Sequence, residues 1–246
     1  MTNPPTSFGM RPRTNARGSR PRPPRGAVGL PRPAGDWGTF TRNYHLAALV
    51  LAALTVVRVS AADALPRIFN GKDFAGWKVP DPNPLWKVVD GVLVGENDEA
   101  LKGGMLYTER AYRDVVVEAE VRWSGEIDSG IMVRKPELQL QIGVSRSLKK
   151  DMTCCFYTGG EERYPEAGRG KGVEGLLRPG DWNIIRLQAK GDTFTVWLNG
   201  RQVVEYVNPK YAAAAPIGLQ VHPGLKMKVE FRNIRAKALD NPATKP

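Results

Sequence analysis

Short alternating segments, with no long helical pattern, set what this chain can fold into. From residue 68 onward, apolar and polar residues alternate with a period of two, and brief turns separate the runs. In "DVVVEAEVRW", Val117 and Val121 point to one side of a strand, and Glu118 and Glu120 to the other. This pattern predicts antiparallel strands with one buried face.

Turn signals organise these strands into hairpins. Asp90-Gly91 and Asn199-Gly200 each separate two apolar runs, and such pairs tolerate the positive φ of a type I′ turn. In the last strand the apolar positions shift by one residue, which predicts a bulge near Asn233. About ten strands are expected, and we predict an all-β, two-sheet antiparallel jelly-roll sandwich. The interval 143–180 does not fit the pattern and is expected to form a long mobile loop beside the sandwich.

The N-terminal quarter has a different composition. Residues 1–43 contain eight prolines, eight arginines and one acidic residue, which predicts a disordered extension. Residues 44–62 have the layout of a signal peptide, with an apolar run from Leu46 to Val57 followed by small residues. The folded domain is therefore expected over 63–246. A translation start downstream of residue 1 is an alternative explanation of the long extension.

The apolar run also bears on localisation. About 20 apolar residues are needed to cross a bilayer, and this run has 12 before Arg58. We therefore expect export to the periplasm or the cell exterior, without stable membrane insertion after cleavage.

Positive charge is concentrated in the same N-terminal segment. The chain carries a net charge of +11, but the first 61 residues hold nine arginines and one aspartate. The remainder has 27 basic and 24 acidic residues, so the expected mature domain is nearly neutral. The composition therefore gives no reason to expect a nucleic-acid partner.

Two adjacent cysteines, Cys154 and Cys155, are the only ones in the chain. In a strand they would point to opposite faces, so a bond between them would need a strained turn. We expect two free thiols, one buried and one exposed.

The stretch "KPELQLQIG" places two amides on one side of a predicted strand. Gln139 and Gln141 alternate with leucine and isoleucine, and in "LQVH" the side chains of Gln220 and His222 also share a face. If both strands belong to one sheet, these four polar side chains line one patch. The other interpretation is that the glutamines lie on a solvated outer sheet face.

Six phrases, in order, resemble the 3-keto-disaccharide hydrolase family, and together they cover nearly all of residues 67–239. They are "FNGKDFAGWKV", "DGVLVGE", "GGMLYTERAYRDVVVEAEVRW", "SGIMVR", "DWNIIRLQAKGDTFTVWLNGRQVVEY" and "PIGLQVHPGLKMKVEFRNIRAKAL". The resemblance implies a concanavalin A-like jelly roll that is exported and acts on oxidised sugars.

This resemblance also implies a chemistry. A 3-keto group acidifies the C2 proton, and its removal gives an enolate from which the C1 substituent leaves by β-elimination before water adds. His222 matches the family's histidine after a Leu-Gln-x phrase and is the expected base. Arg134 is expected to stabilise the enolate oxygen, and Gln139, Gln141 and Gln220 to bind sugar hydroxyls.

Two departures from the family pattern keep a second interpretation open. The family's corresponding strand resembles Tyr-Glu-x-Gln-Ile followed by an acidic residue or Asn, whereas here Gln139 stands at the Glu position and Gly143 follows the Gln-Ile phrase. An amide cannot act as a base or a strong metal ligand. The alternative is a non-catalytic, lectin-like carbohydrate-binding module on the same fold, and a flat, solvated patch around His222 would favour a structural domain.

The sequence offers less on aromatic and metal contacts. Trp197 faces away from the apolar residues of its hairpin, so we expect it to be exposed and to stack on a sugar. The cofactor is left open by the sequence. Glu126 and Asp128 could supply oxygen ligands to a divalent metal, although a solvated turn is the favoured interpretation there.

Overall fold

A computed structural model describes residues 65–239. The predicted extension (1–43) and signal peptide (44–62) lie outside the described residues. Within 65–239, no helix has the length and apolar character needed to cross a bilayer.

The described part of the chain forms two antiparallel sheets, and the predicted all-β fold class is confirmed. The first sheet contains seven strands: β1 (Trp77–Lys78), β4 (Gly104–Tyr112), β6 (Asp128–Val133), β7 (Leu138–Ser145), β8 (Lys150–Asp151), β9 (Phe156–Tyr157) and β13 (Ala215–Val221). The second also contains seven: β2 (Trp86–Val89), β3 (Val92–Glu96), β5 (Val115–Trp123), β10 (Asn183–Lys190), β11 (Thr193–Leu198), β12 (Arg201–Val207) and β14 (Lys228–Ala238). The described residues form fourteen strands, more than the ten or so expected, partly because β1, β8 and β9 have only two residues each and leave no pattern in the sequence.

The strand order places β13, β6 and β7 side by side in the first sheet, in the order β1-β4-β13-β6-β7-β8, with β9 also paired to β7. The second sheet runs β12-β11-β10-β5-β14-β3-β2. Alternate residues of both sheets point inward and form one hydrophobic cluster between them. The opposite, outward face of the first sheet is called the site face below.

Both predicted hairpin turns have the expected backbone. Asp90 and Gly91 have φ of 49° and 80°, and Asn199 and Gly200 have φ of 50° and 86°. Two successive positive φ values define a type I′ turn, whose twist matches that of the flanking strands. The predicted bulge is also present, because the β14–β5 register shifts around Asn233.

The interval 143–180 is more regular than the predicted loop. It includes the end of β7, strands β8 and β9, and a 3-10 helix at Glu166–Gly168. Met152, Cys155 and Tyr164 are buried together in a small cluster of their own. This apolar contact offsets part of the entropy cost of ordering the segment and was not visible as a periodic pattern.

Both cysteines are free and both are buried, so the expectation of one exposed thiol is wrong. Cys154 has a φ of 62° and therefore lies in a turn, where the alternation of a strand does not apply. The backbone N–H of Gly170 donates to Cys155 Sγ at 3.4 Å. Burial raises the pKa of both thiols, which disfavours the reactive thiolate.

Candidate functional site

A polar pocket of about 150 Å³ opens on the site face of the first sheet. Its walls come from β6, β7, β9, β13 and the segment that follows β7. The lining residues are Asp128, Gln139, Gln141, Ser145, Arg146, Ser147, Tyr157, Tyr164, Gln220 and His222. The four polar side chains that the periodicity grouped together, three glutamines and the histidine, therefore line one pocket.

Strand pairing explains how they converge. Gly130 of β6 pairs with Gln141 of β7, and the adjacent strand β13 brings Gln220 to the other side of β6. The intervening residues of these strands, such as Leu140 and Leu219, point into the core. Because side chains alternate between the two faces of a strand, the amides lie on the site face while the neighbouring leucines pack in the core and hold the strands in place.

The glutamines of β7 are not on a solvated face. Gln139 is 9% exposed and Gln141 is 1% exposed. Tyr157 of β9 and Tyr164, which follows β9, line the same pocket and lie over these amides. The interpretation of the two amides as solvated surface groups is therefore wrong, because residues more than ten positions further along the chain fold over them.

Gly130 lies directly beneath the side chain of Gln139, which lines the pocket. A Cβ at this position would lie 2.7 Å from Cγ of Gln139 and 2.8 Å from its Nε2. The Gln139 side chain therefore lies across Gly130, and a larger residue there would displace it.

The amide of Gln139 links the other glutamines of the pocket through hydrogen bonds. Its Nε2 donates to Oε1 of Gln141 at 2.8 Å, to Oε1 of Gln220 at 3.2 Å and to the carbonyl of Ser129 at 3.4 Å. The hydroxyl of Tyr164 donates to the same Gln141 oxygen at 3.1 Å. These bonds fix which end of each amide faces which neighbour.

Asp128 is the carboxylate of the pocket, and the expectation of a solvated turn at this position is wrong. It begins β6, is 4% exposed and does not lie in a solvated turn. Gln141 Nε2 donates to its Oδ1 at 2.9 Å, and the backbone N–H of Arg146 donates to its Oδ2 at 2.8 Å. The alternation of Asp128, Gly130 and Met132 with core residues in "DSGIMVR" is the signal that would have extended the strand to Asp128.

His222 follows β13 and faces this carboxylate. Its Nε2 lies 4.0 Å from Asp128 Oδ2, and its Nδ1 lies 2.7 Å from the carbonyl oxygen of Pro223. A carbonyl only accepts hydrogen bonds, so it selects the tautomer with the proton on Nδ1. In the neutral ring, Nε2 then presents its lone pair to the pocket.

The residue after the Gln-Ile phrase cannot carry a side chain here. Gly143 has a φ of 87°, and a Cβ on it would lie 2.4 Å from the carbonyl oxygen of Ile127. It pairs with Asp128 across the β6–β7 ladder. The carboxylate that is absent after the phrase is thus present on the neighbouring strand.

Arg134 does not line this pocket, which corrects the expectation that it stabilises an enolate oxygen there. It follows the far end of β6, six residues or about 20 Å along the strand from Asp128. Its guanidinium is 1% exposed and donates to Asp114 Oδ1 at 2.9 Å and to the carbonyls of Ala212 and Gly191 at 3.0 Å. Arg146, which no periodicity distinguished, is the arginine that lines the pocket.

Trp197 is also remote from the pocket. It is half-buried on the outward face of the second sheet, where the Arg186 guanidinium lies 5.8 Å from the centre of its ring. Its orientation away from the core agrees with the alternation in its hairpin, but that hairpin belongs to the other sheet. Alternation in the sequence predicts on which face of its sheet a residue lies, but it does not predict which sheet its strand joins.

Metal ligands are sparse in the described part of the chain. Between residues 65 and 239, no three His, Cys, Asp or Glu side chains cluster as a metal site would require. Asp128 and His222 form an acid–imidazole pair only.

Solved structures with the same fold include two proteins from Parabacteroides distasonis provisionally assigned as glycosyl hydrolases. One is 22% identical, with a TM-score of 0.52 over 70% of this chain and 93% of that chain. The other is 20% identical, with a TM-score of 0.55 over 72% of this chain and all (100%) of that chain. At this identity the likeness concerns the fold alone, and a search of curated proteins found no match.

The sequence itself matches a family along most of the domain. The 3-keto-alpha-glucoside-1,2-lyase-like domain aligns with residues 66–237, which include every residue of the pocket and all of the strands except the last residue of β14, Ala238. This agrees with the resemblance found in the six phrases and indicates a carbohydrate-related function. The chain therefore belongs to the family of 3-keto-alpha-glucoside-1,2-lyase-like domains.

Proposed function

We propose that this protein is exported and cleaves 3-keto-glycosides by removing the C2 proton and eliminating the C1 substituent. The observation that carries the proposal is the His222–Asp128 pair at the mouth of the amide-lined pocket. Family membership and the polar lining support a sugar as the ligand.

His222 is the base in this proposal. Its Nδ1 is held on the Pro223 carbonyl, so Nε2 is available to accept the C2 proton. Once protonated, the ring carries a positive charge 4.0 Å from Asp128 Oδ2. Asp128 therefore stabilises the imidazolium as it forms, and acts as a positioning residue.

The enolate oxygen at C3 needs a donor or a cation. The Oε1 of Gln220 accepts a hydrogen bond from Gln139, so the Nε2 of Gln220 points away from Gln139. Among residues 65–239, no acceptor is bonded to this Nε2. Its N–H groups suit a developing oxyanion. Arg146 at the pocket wall adds a positive charge in the role that the sequence analysis gave to Arg134.

The proposed reaction balances in two steps. The C2–H electron pair first forms the C2=C3 enolate; the C3 carbonyl then re-forms as the C1=C2 double bond appears and the C1–O bond breaks. The leaving oxygen takes a proton, so the first product is a 2-hydroxy-3-keto-glycal. Water then adds its hydroxyl to C1 and a proton to C2, giving the free 3-keto sugar. The first step alone is a lyase reaction, and both together amount to hydrolysis.

The test is release of methanol from methyl 3-keto-glucoside by the full chain. We expect turnover in the wild type, and a loss of at least about 100-fold in His222→Ala, in line with the contribution of a general base. Lys226→Ala, an exposed change in the same loop, is the matched control and should retain turnover. Wild-type rates in His222→Ala would refute the assigned base.

The amide at position 139 favours a second candidate, a non-catalytic sugar-binding module. The Gln139–Gln141–Gln220 network is a set of neutral donors and acceptors of the type that recognises hydroxyls. Saturable calorimetric binding of methyl 3-keto-glucoside without any methanol release would establish binding in place of catalysis.

A further inference from the structure

Tyr107 lies on the site face, one strand beyond the pocket. It belongs to β4 and pairs with Gly218 of β13, which is two residues from Gln220 on the same face. A Cβ on Gly218 would lie 2.7 Å from Cε1 of Tyr107 and 3.0 Å from its Cδ1. The aromatic ring therefore occupies the space left by the glycine, a packing known to stabilise glycine in sheets.

The ring is held at its far end. The Tyr107 hydroxyl donates to Glu137 Oε1 at 2.6 Å, and Glu137 directly precedes β7. Two strands, β13 and β6, lie between the partners, so the pair reaches across the site face. Burial, and then the bond to Glu137, raise the pKa of Tyr107, which keeps the hydroxyl protonated as a donor.

Space for a second ring lies beside this pair. The pocket of about 150 Å³ is smaller than the roughly 300–1,000 Å³ of sites that enclose a whole small ligand, so it suits one sugar ring or less. A depression of about 470 Å³ adjoins Tyr107 and Glu137, and Pro136, Ala215 and Pro216 line it. Gly218 and Gln220 are two residues, or about 7 Å, apart along β13, so Tyr107 lies beyond the glutamine end of the pocket.

We propose that Tyr107 is a fixed stacking platform for a sugar leaving group, the pyranose attached at C1 of the keto sugar. An aromatic ring offers an apolar face to the C–H side of a pyranose, and the Glu137 bond holds it in place beforehand. This inference rests on the proposed function, since it assigns a position to the substrate of the same reaction.

The test compares two substrates, methyl 3-keto-glucoside and a 3-keto-glucosyl-glucose disaccharide. The measured quantity is the ratio of kcat/KM for the disaccharide to kcat/KM for the methyl glycoside. Tyr107→Ala should lower this ratio about tenfold, which corresponds to about 1.4 kcal/mol. Tyr107→Phe, which keeps the ring, should restore the ratio to within about threefold of the wild type. Trp197→Ala removes an aromatic ring from the other sheet and is the matched control.

The outcomes separate the two proposals. Turnover of the methyl glycoside by the wild type tests the elimination chemistry, whereas the ratio tests the platform. An unchanged ratio in Tyr107→Ala would overturn the platform, and so would a raised ratio, which would show that the ring obstructs the second sugar. If neither substrate is cleaved, the proposed function fails. The ratio of the calorimetric Kd values of the two compounds, compared between wild type and Tyr107→Ala, then tests stacking alone.

Discussion

Replacing Gln139 with glutamate would introduce the residue that the family resemblance implies at this position, yet we expect it to lower both stability and turnover. Nε2 of Gln139 donates to the oxygens of Gln141, Gln220 and Ser129 at 2.8, 3.2 and 3.4 Å. A carboxylate oxygen would face three acceptors and could donate to none. Gln141 cannot simply turn over, because its Nε2 is bound to Asp128.

The loss of stability in Gln139→Glu can be estimated from the hydrogen bonds that it breaks. Leaving buried hydrogen-bonding groups unpaired costs about 1–3 kcal/mol. For a domain of this size, about 2 kcal/mol corresponds to a fall in Tm of roughly 4–8 °C. We expect Gln139→Glu to melt lower by this amount and to turn over methyl 3-keto-glucoside more slowly, because the Gln220 amide loses the bond that orients it.

The effect should depend on pH. The surrounding oxygens raise the pKa of the new carboxyl in the folded state, so the protonated form, which can donate, is tolerated at low pH. As pH rises through that raised value, the unfolded state releases the proton more readily, and the destabilisation grows. Differential scanning calorimetry between pH 5 and pH 8 measures this, with the half-buried Gln188→Glu on the other sheet as control. An equal or higher Tm, or faster turnover, in Gln139→Glu would refute the reasoning.

Two charged side chains outside the pocket, Arg134 and Glu230, are expected to stabilise the fold. Arg134→Met breaks a buried pair with the partly exposed Asp114, and should lower the free energy of unfolding by about 3 kcal/mol in urea denaturation, while the folded variant should release methanol from methyl 3-keto-glucoside at the wild-type rate. A loss of kcat with unchanged stability would return Arg134 to the site. The bond from Arg122 lowers the pKa of Glu230, so this carboxylate stabilises the fold above its unfolded pKa and stops doing so as pH falls through the folded one. Glu230→Gln should therefore flatten the decline of Tm on acidification, and an unaltered slope would contradict this.

The sequence was informative wherever a local rule decides the structure. The hairpins at Asn199-Gly200 and Asp90-Gly91 depend on positive φ at two adjacent residues, and the dipeptides alone indicate this. The shared face of Gln220 and His222 depends only on a period of two, and it was predicted correctly.

Relations between distant segments were not readable in the same way. Burial of Gln139 and Gln141 depends on Tyr164, which is more than twenty residues further along the chain in a segment without periodicity. Asp128 was assigned to a solvated turn because Gly125 and Glu126 before it resemble a loop, and Arg134 was misplaced because a motif gives no position along a strand. Trp197 points away from the core, as its alternation predicts, but its strand belongs to the sheet that does not carry the pocket. Each error concerns packing between elements, which propensity and alternation do not encode.

Exchange of the C2 proton tests the central claim most directly. Methyl 3-keto-glucoside is incubated with the full chain in D₂O, and proton NMR follows the C2 signal alongside methanol release. Wild-type protein should remove the C2 signal as fast as, or faster than, it releases methanol, and His222→Ala should do neither. Methanol release with the C2 proton retained in the sugar product would contradict elimination and the role given to His222.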